Sequence, residues 1–238
     1  MRSTIFVRGA AAFRGDAKGL RPAILPPMLR RRTSPLTRAV AQVVGEIGER
    51  FGADLAHVPV VHGSEHGEIA VTVDLLHAAL SPDGEVSPTR FHNSVHNTPI
   101  GYVSIACGNR AGHTTVAAGA DTCAMAFLEA AARLSAGRGE VLVVVADEPV
   151  PPPLPRRGPA EVTAAAFLLA AAPAGESSRL EIVEGPAEGA LPECAATAAY
   201  DLAGAARRAA PAACPLSARD PFAVDARDTT YFARLIFD

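Results

Sequence analysis

Apolar positions along this chain follow two alternating patterns. Short runs of β-branched and other apolar residues, such as "STIFVRG", "HVPVVHG" and "EVLVVVADE", predict buried strands. Longer stretches with a helical period predict helices, and the clearest of them runs from Ser34 to about Phe51. Ser34 is suited to the N-cap of that helix and Pro35 to its first position. Its apolar face consists of Leu36, Val40, Val43, Val44 and Ile47.

The order of these segments predicts an α/β fold. They read β-α-β-α-α-β-α-β-β-β, which is typical of an α/β domain with a mostly parallel mixed sheet and an antiparallel end. We assign residues 1–185 to one domain, within which the proline-rich segment 149–159 predicts a stiff excursion. We expect the Ala-rich remainder, 186–238, to form an extension that consists of a helix and an irregular tail.

Composition and charge exclude several functional classes. The 238 residues are 49% apolar, which is enough to fill a core. A formal net charge of -3 provides no electrostatic footprint for nucleic acid. The four cysteines have no Cys-x-x-Cys spacing and predict reduced thiols. Because we recognise neither a signal peptide nor an apolar run long enough to cross a bilayer, we expect a cytoplasmic protein.

The stretch "VAAGADTCAMAFLEAAARL", residues 116–134, predicts a strand, a tight turn at Gly119 and a buried helix from about Asp121 to Arg133. Acyl-transfer enzymes often carry a nucleophile at such a turn, but here Cys123 lies one helical turn further on. Its place near a helix start favours a reactive thiol, whereas the neighbouring Asp121 disfavours the thiolate. We therefore interpret Cys123 as structural, and a nucleophilic Cys123 is the alternative.

The stretch "HGSEH", residues 62–66, matches the H-x-x-E-H pattern of one class of zinc peptidase. That chemistry needs His62 and His66 on one face of a helix, with Glu65 beside them. The Gly-Ser dipeptide inside the motif disfavours a helix. We therefore expect a strand-to-helix loop with surface His and Glu side chains and no bound metal, and a zinc site is the alternative.

Other candidate motifs give no cofactor site. His92 and His96 in "FHNSVHN" are spaced i, i+4, but no third metal ligand is evident, so helix packing or capping is the preferred interpretation. The stretch "CGNRAGHTT" fits no phosphate-binding loop, and no G-x-G-x-x-G opens a helix, so we predict no cofactor. Cys107, in an apolar context, is interpreted as a packed thiol.

Three segments carry a resemblance to a known family: "PPMLRRRTSPLTRAV", "RFHNSVHNTPIGYVSIACGNRAGHTTVAAGADTCAMAFLEAA" and "VLVVVADEPVPPPL". With them the chain resembles the β-ketoacyl synthase-like N-terminal domain proteins, and in particular the short chain-length-factor-like subunits of aryl polyene (xanthomonadin-type) pigment clusters. The resemblance covers roughly residues 1–185 and is strongest over 26–153. It implies half of a thiolase-like fold, of the type β-α-β-α-β-α-β-β with a buried helix.

The resemblance also implies that the nucleophile position is vacant. Ketosynthases of this superfamily carry their nucleophilic Cys on the turn that Gly119 occupies here. Their two catalytic His (or His and Asn) belong to a second half, which we expect to be absent because the chain is short and has no His after His113. Decarboxylative condensation needs both the thiolate and those bases.

The function implied is that of a non-catalytic, chain-length-factor-like subunit. It would pair with an active β-ketoacyl-ACP synthase in polyketide or fatty-acid-like biosynthesis, with an acyl carrier protein as a further partner and a homodimer in isolation. The segment 91–127 would supply the dimer interface. Apolar residues that would shape the interface and the acyl tunnel are Val95, Ile100, Tyr102, Val103, Ile105, Val116, Met125 and Phe127.

Two other interpretations stay open at this point. One is a thiolase-fold acyltransferase or hydrolase that uses Cys123 or Cys107 as its nucleophile. The other assigns the eight apolar residues simply to the core of a standalone domain.

Overall fold

The computed structural model describes residues 3–155, 158–175, 177–185, 191–209, 212–217 and 230–236. Within these residues the strands are β1 (Ser3–Gly15), β2 (Val60–Gly63), β3 (His113–Val116), β4 (Glu140–Asp147), β5 (Val162–Ala170), β6 (Ser178–Gly185), β7 (Ala212–Pro215) and β8 (Thr230–Ile236). The helices are α1 (Pro27–Arg30), α2 (Pro35–Phe51), α3 (Ile69–Ala79), α4 (Pro88–His92), α5 (Thr98–Cys107), α6 (Thr122–Ser135) and α7 (Ala195–Arg207). A 3₁₀ turn, Gly119–Asp121, precedes α6.

All the described strands join one sheet in the order β3-β2-β4-β5-β1-β6-β8-β7. Only β2 pairs in parallel, with β3 on one side and β4 on the other. The other neighbouring strands pair antiparallel. The α/β prediction is confirmed, but the prediction of a mostly parallel sheet is wrong. The reason is that β1 inserts between β5 and β6, a long-range pairing that local periodicity cannot reveal.

Helices cover both faces of the sheet and create two cores. Alternate residues of β4 contribute to each: Val143 packs in the cluster with α6 and α7, and Val144 in the cluster with α2 and α5. A central strand that is buried on both faces has apolar residues at consecutive positions, which explains the uninterrupted apolar run of β4. The three-layer arrangement leaves the loops at the strand ends as the accessible part of the fold.

The two best-defined helix predictions are confirmed. In α2 the Ser34 side chain accepts a hydrogen bond from the Thr37 backbone N–H at 2.9 Å, with Pro35 at the first position. Helix α6 begins at Thr122, directly after the turn at Gly119, and most of its residues are buried. The close packing of α6 follows from its run of small side chains, which lets the helix approach β2 and β4 closely.

The C-terminal part of the chain differs from its prediction. Helix α7 packs on β1, β4 and β5, while β7 and β8 extend the sheet beyond β6. The described residues therefore hold two strands where an irregular tail was expected. Residues 186–190, 210–211, 218–229 and 237–238 of that extension lie outside the described residues. No helix in the described part of the chain is long and apolar enough to cross a bilayer.

Candidate functional site at the carboxyl edge of the parallel strands

The three parallel strands end at one edge of the sheet, which we call the carboxyl edge. The loop 64–68 follows β2, the turn 117–121 follows β3, and Glu148 follows β4. Loops at the carboxyl ends of parallel strands are where open α/β sheets place their functional groups. Both motifs singled out in the sequence, the Gly119 turn and the "HGSEH" segment, therefore meet here.

The turn after β3 leaves open space where a side chain would stand. Gly119 has φ +53°, in the left-handed region that favours glycine, and it is exposed. A Cβ added at Gly119 would meet no atom within 4 Å beyond its chain neighbours. Thr122 closes the turn: its hydroxyl donates to the Gly119 carbonyl at 2.7 Å and accepts from the Ala118 N–H at 2.9 Å.

Neither of the two candidate thiols has the features of an activated nucleophile. Cys123 is fully buried, and burial raises its pKa far above the ordinary value, with Cys194 and Cys214 nearby adding to the effect. The dominant cause is thus burial rather than the Asp121 carboxylate that the sequence suggested. Burial also raises the pKa of the half-buried Cys107. A reactive thiol needs a lowered pKa and access to its substrate.

The expectation of a surface histidine loop is wrong. His62 belongs to β2 and is fully buried, with Nδ1 3.2 Å from the Val144 carbonyl. Burial lowers the pKa of His62 to about 4, so its ring is neutral at pH 7. The side chains of Glu65 and His66 are also largely covered, and their nearest polar atoms lie 4.0 Å apart. No group of three metal-ligating side chains is found among the described residues.

The loop folds inward because Asp147 holds it. One oxygen of this fully buried carboxyl group accepts from the Ser64 hydroxyl at 2.8 Å and from the backbone N–H groups of Glu65 and His66 at 2.8 and 3.2 Å. The Ser64 hydroxyl in turn accepts from the Gly67 N–H at 2.8 Å. Sequence reasoning missed Asp147, since it read the residue only as the end of a strand.

Two further buried carboxyl groups tie helix starts to the same edge. Glu68 accepts from the hydroxyls of Ser34 and Thr37, both at 2.7 Å, and so contacts the beginning of α2. Glu148 accepts from the Ala70 N–H at 3.0 Å at the beginning of α3. Burial raises the pKa of each of these two groups to about 7. Glu68 and Glu148 thus fix the starts of α2 and α3 beside the site.

A cleft of about 330 Å³ lies beside the outer strand β3. Its lining residues are His96, Asn97, His113, Thr115 and Ala117. His96 packs closely on the loop, because a Cβ at Gly67 would stand 3.0 Å from the His96 ring. Helix α4 ends at His92, so His92 and His96 do not share a helix as the i, i+4 spacing suggested.

Strand β3 is an edge strand of the sheet, and half of its backbone N–H and C=O groups point away from β2. The carbonyls of Gly112 and Val116 accept from Val60 and Ser64 on the β2 side. In a parallel ladder, alternate residues of one strand bond to the same neighbour. The backbone groups of His113 and Thr115 therefore face away from β2, where the described residues provide no further strand.

The eight apolar residues assigned to an interface fall into two groups. Ile100, Val103 and Phe127 are buried in this chain's own cores, and Tyr102 is 9% exposed. The other four are accessible in part or fully: Val95, Ile105, Val116 and Met125. Phe127 packs edge-on against Phe167, with ring centroids 5.0 Å apart. Only the second group is available to contact a partner.

The fold is a three-layer α/β domain with a tight turn before a buried helix. The sequence profile of the family "Beta-ketoacyl synthase, N-terminal domain" matches residues 9–209, and the chain belongs to this family. The resemblance to the β-ketoacyl synthase-like N-terminal domain proteins is thereby confirmed. A comparison with curated protein sequences gives no match.

Solved structures share the fold at low sequence identity. A chain of the complex of the ketosynthase ApeO with its chain length factor ApeC from Xenorhabdus doucetiae matches with a TM-score of 0.74 and 20% identity, over 97% of this chain and 99% of that chain. The ishigamide ketosynthase/chain length factor matches with a TM-score of 0.69 and 15% identity, over 99% of both chains. A type II polyketide synthase complex of ketosynthase and acyl carrier protein, AntDE:AntF, has a TM-score of 0.56 and 15% identity, over 79% of this chain and 70% of that chain.

Proposed function

We propose that this chain is a non-catalytic, chain-length-factor-like subunit that pairs with an active β-ketoacyl-ACP synthase in aryl polyene-type polyketide biosynthesis. The observation that carries the proposal is the Gly119 turn: the place from which a nucleophile would act holds no side chain. Cys123, one turn further, is fully buried and protonated. A chain without a nucleophile at this turn would contribute to condensation through a partner.

The comparisons support this assignment through chain length as well as fold. The two complexes with the higher TM-scores are both assemblies of a ketosynthase with a chain length factor, and the matched chains are covered to 99%. The matched chains are therefore about as long as this one. The cytoplasmic location and the fatty-acid-like variant of the pathway stay predictions.

The outer strand β3 supplies the surface for pairing. Its outward backbone groups at His113 and Thr115 are free to extend the sheet into a partner. Val116 and Met125 lie half-buried on one side of β3, and the 330 Å³ cleft lies on the other. A partner strand placed here would cover the cleft. We propose that the covered cleft forms the acyl tunnel of the dimer.

Co-expression with the ketosynthase encoded nearest to this gene tests the proposal. We expect the two chains to co-purify as a heterodimer. After incubation with an acyl-loaded carrier protein, intact-mass analysis should find the acyl adduct on the ketosynthase and none on this chain, because Cys123 is buried. Cys123→Ala should leave the product of the pair unchanged.

An acyl adduct that maps to Cys123 or Cys107, with turnover abolished by Cys123→Ala or Cys107→Ala, would instead make this chain an acyltransferase or hydrolase. Purification of this chain without the ketosynthase under the same co-expression would contradict the pairing.

A basic surface supports an acyl carrier protein as the second partner. Four arginines, Arg30, Arg31, Arg32 and Arg38, lie between α1 and the first turns of α2, where the Arg38 guanidinium donates to the Arg30 carbonyl at 3.2 Å, although the whole chain has a net charge of -3. Arg31 and Arg32 are exposed after α1, and the Asn93 side chain donates to the Arg32 carbonyl at 3.0 Å. This contact places α4, with its exposed Phe91, beside them. We propose that this surface docks an acidic carrier protein.

Charge reversal at this surface should weaken carrier binding. For the double variant Arg31→Glu with Arg32→Glu, we expect roughly tenfold weaker binding of the carrier protein to the heterodimer, and a weaker dependence of binding on salt. The matched control is Arg207→Glu with Arg208→Glu, an exposed adjacent pair at the end of α7. Surface plasmon resonance at two salt concentrations measures both. Equal affinities for the two variants would argue against this docking surface.

A further inference from the structure

Three carboxyl groups are buried together at the carboxyl edge without a cation beside them. Asp147 and Glu68 are 0% exposed and Glu148 is 5% exposed. None of the ion pairs in the described part of the chain includes any of the three. One oxygen of Glu68 and one of Asp147 are buried with no hydrogen-bond partner. An ionised carboxyl group in such surroundings is costly, because its charge loses water and gains no counter-charge.

These groups connect the loop to the elements around it. Asp147 binds the loop 64–68 to the end of β4, Glu68 binds it to α2, and Glu148 binds the N-terminus of α3. Residues 69–92, from α3 through α4, follow this anchor, and we call them the α3–α4 hairpin. Its side chains include the exposed Leu76, Leu80 and Phe91. In α3 only Val73 and Leu75 are buried, so its hydrophobic anchorage is small.

We propose that Glu68, Asp147 and Glu148 form a proton-dependent latch. When they are protonated they fasten the loop 64–68 and the α3–α4 hairpin to the sheet, and loss of their protons loosens both. The latch rests on this buried geometry alone and does not depend on the proposed function.

The neighbouring charges that shift the pKa values of Asp147 and Glu148 are negative. The Glu65 side chain, from the loop itself, raises the pKa of Asp147, and Glu68 raises that of Glu148. Cys194, at the start of α7, is protonated because burial and then the Asp147 charge raise its pKa to about 11. The remaining neighbours are His66 in the loop and His96, which packs on Gly67. The neutral His62 lies in the adjoining strand.

The direction of the pH effect follows from proton binding. Burial raises the pKa of all three carboxyl groups to about 7. The hydrogen bonds that these groups accept lower the pKa, but the effect of burial is larger. Between an ordinary carboxyl pKa near 4 and about 7, the folded chain binds more protons than the unfolded chain. The free energy of unfolding therefore falls as pH rises through this interval, and the loss is complete above about 7. Each group contributes a change on the order of several hundredfold to a thousandfold in the unfolding equilibrium.

Hydrogen exchange at about pH 6 and about pH 8, corrected for the intrinsic rates, tests the latch. In the wild-type chain, the protection of the Glu65, His66 and Ala70 amides against exchange should decrease from about pH 6 to about pH 8. We expect this decrease to be at least roughly tenfold larger than the decrease for the amides of β4. In the double variant Glu68→Gln with Glu148→Gln this extra loss should disappear at Ala70, whose N–H donates to Glu148, and should decrease at Glu65 and His66 to the part that Asp147 contributes. The exposed Glu85→Gln, in the same hairpin, should behave like the wild type.

Infrared spectroscopy of the wild-type chain provides a second measurement that needs no variant. The carbonyl stretch of protonated carboxylic acids should be present at about pH 6 and should vanish in parallel with the loss of protection. Absence of that band at about pH 6 would overturn the latch. So would an unchanged pH dependence of protection at Ala70 in the double variant, because Glu148 is the group that accepts from the Ala70 N–H.

Discussion

Thr115→Pro is expected to abolish co-purification with the ketosynthase while leaving the chain folded. Proline removes the Thr115 N–H, which faces outward from β3, and its ring would stand where the partner strand has to bond. The ladder to β2 uses the alternate residues and keeps its hydrogen bonds. Proline is tolerated on edge strands for this reason. Size-exclusion chromatography of the co-expressed pair measures heterodimer formation. Circular dichroism of the variant alone measures whether it is folded.

Thr115→Val is the matched control because it retains the backbone N–H and the branched shape. The Thr115 hydroxyl is buried without a hydrogen-bond partner, so its replacement by a methyl group should leave pairing and stability nearly unchanged. If Thr115→Pro still forms the heterodimer with unchanged affinity, the pairing surface lies elsewhere than β3. If the valine variant also loses the partner, the side chain rather than the backbone carries the contact.

Before residue 186, local sequence patterns were sufficient to predict the main strands and helices but not their arrangement. The cap at Ser34 and the apolar face of α2 depend only on the residues of that helix, and the small residues of α6 likewise lie within one helix. Each of these features appears where it was predicted. Strand direction depends instead on which distant segments pair. Val7 of β1 pairs with Leu169 of β5 on one side and with Ser178 of β6 on the other. Nothing in the local sequence of β1 specifies those partners.

The same distinction explains the candidate site. Gly119 could be predicted as a turn because a left-handed φ favours glycine, and the structure has that conformation. The "HGSEH" loop was expected at the surface because its residues are polar. Asp147, more than 80 positions away along the chain, draws it inward through bonds to Ser64, Glu65 and His66. The alternation of polar and apolar residues around a loop carries no information about such a partner.

Gly119→Cys is expected to create a thiol that alkylates at least about a hundredfold faster than Cys123. Position 119 is exposed and lies at the N-terminal end of the 3₁₀ turn and α6, where the helix dipole favours a thiolate. Cys123 is fully buried, and its raised pKa keeps it protonated. The left-handed φ of Gly119 imposes a strain of about 1–2 kcal/mol on any other residue, which the fold should tolerate because the added side chain meets no neighbour. Iodoacetamide labelling followed by peptide mapping, in a Cys107→Ala background, gives the two rates.

Gly137→Cys separates the effect of the helix end from that of exposure. Gly137 is also exposed, has φ +90° and open space around it, but it follows the C-terminal end of α6. The dipole there disfavours a thiolate, so the thiol introduced at position 137 should react more slowly than the one at position 119. Equal rates at the two positions would mean that the Gly119 turn has no nucleophile-activating environment. In that case the turn would be an ordinary loop, and the interpretation of Gly119 as a vacated nucleophile position would be wrong.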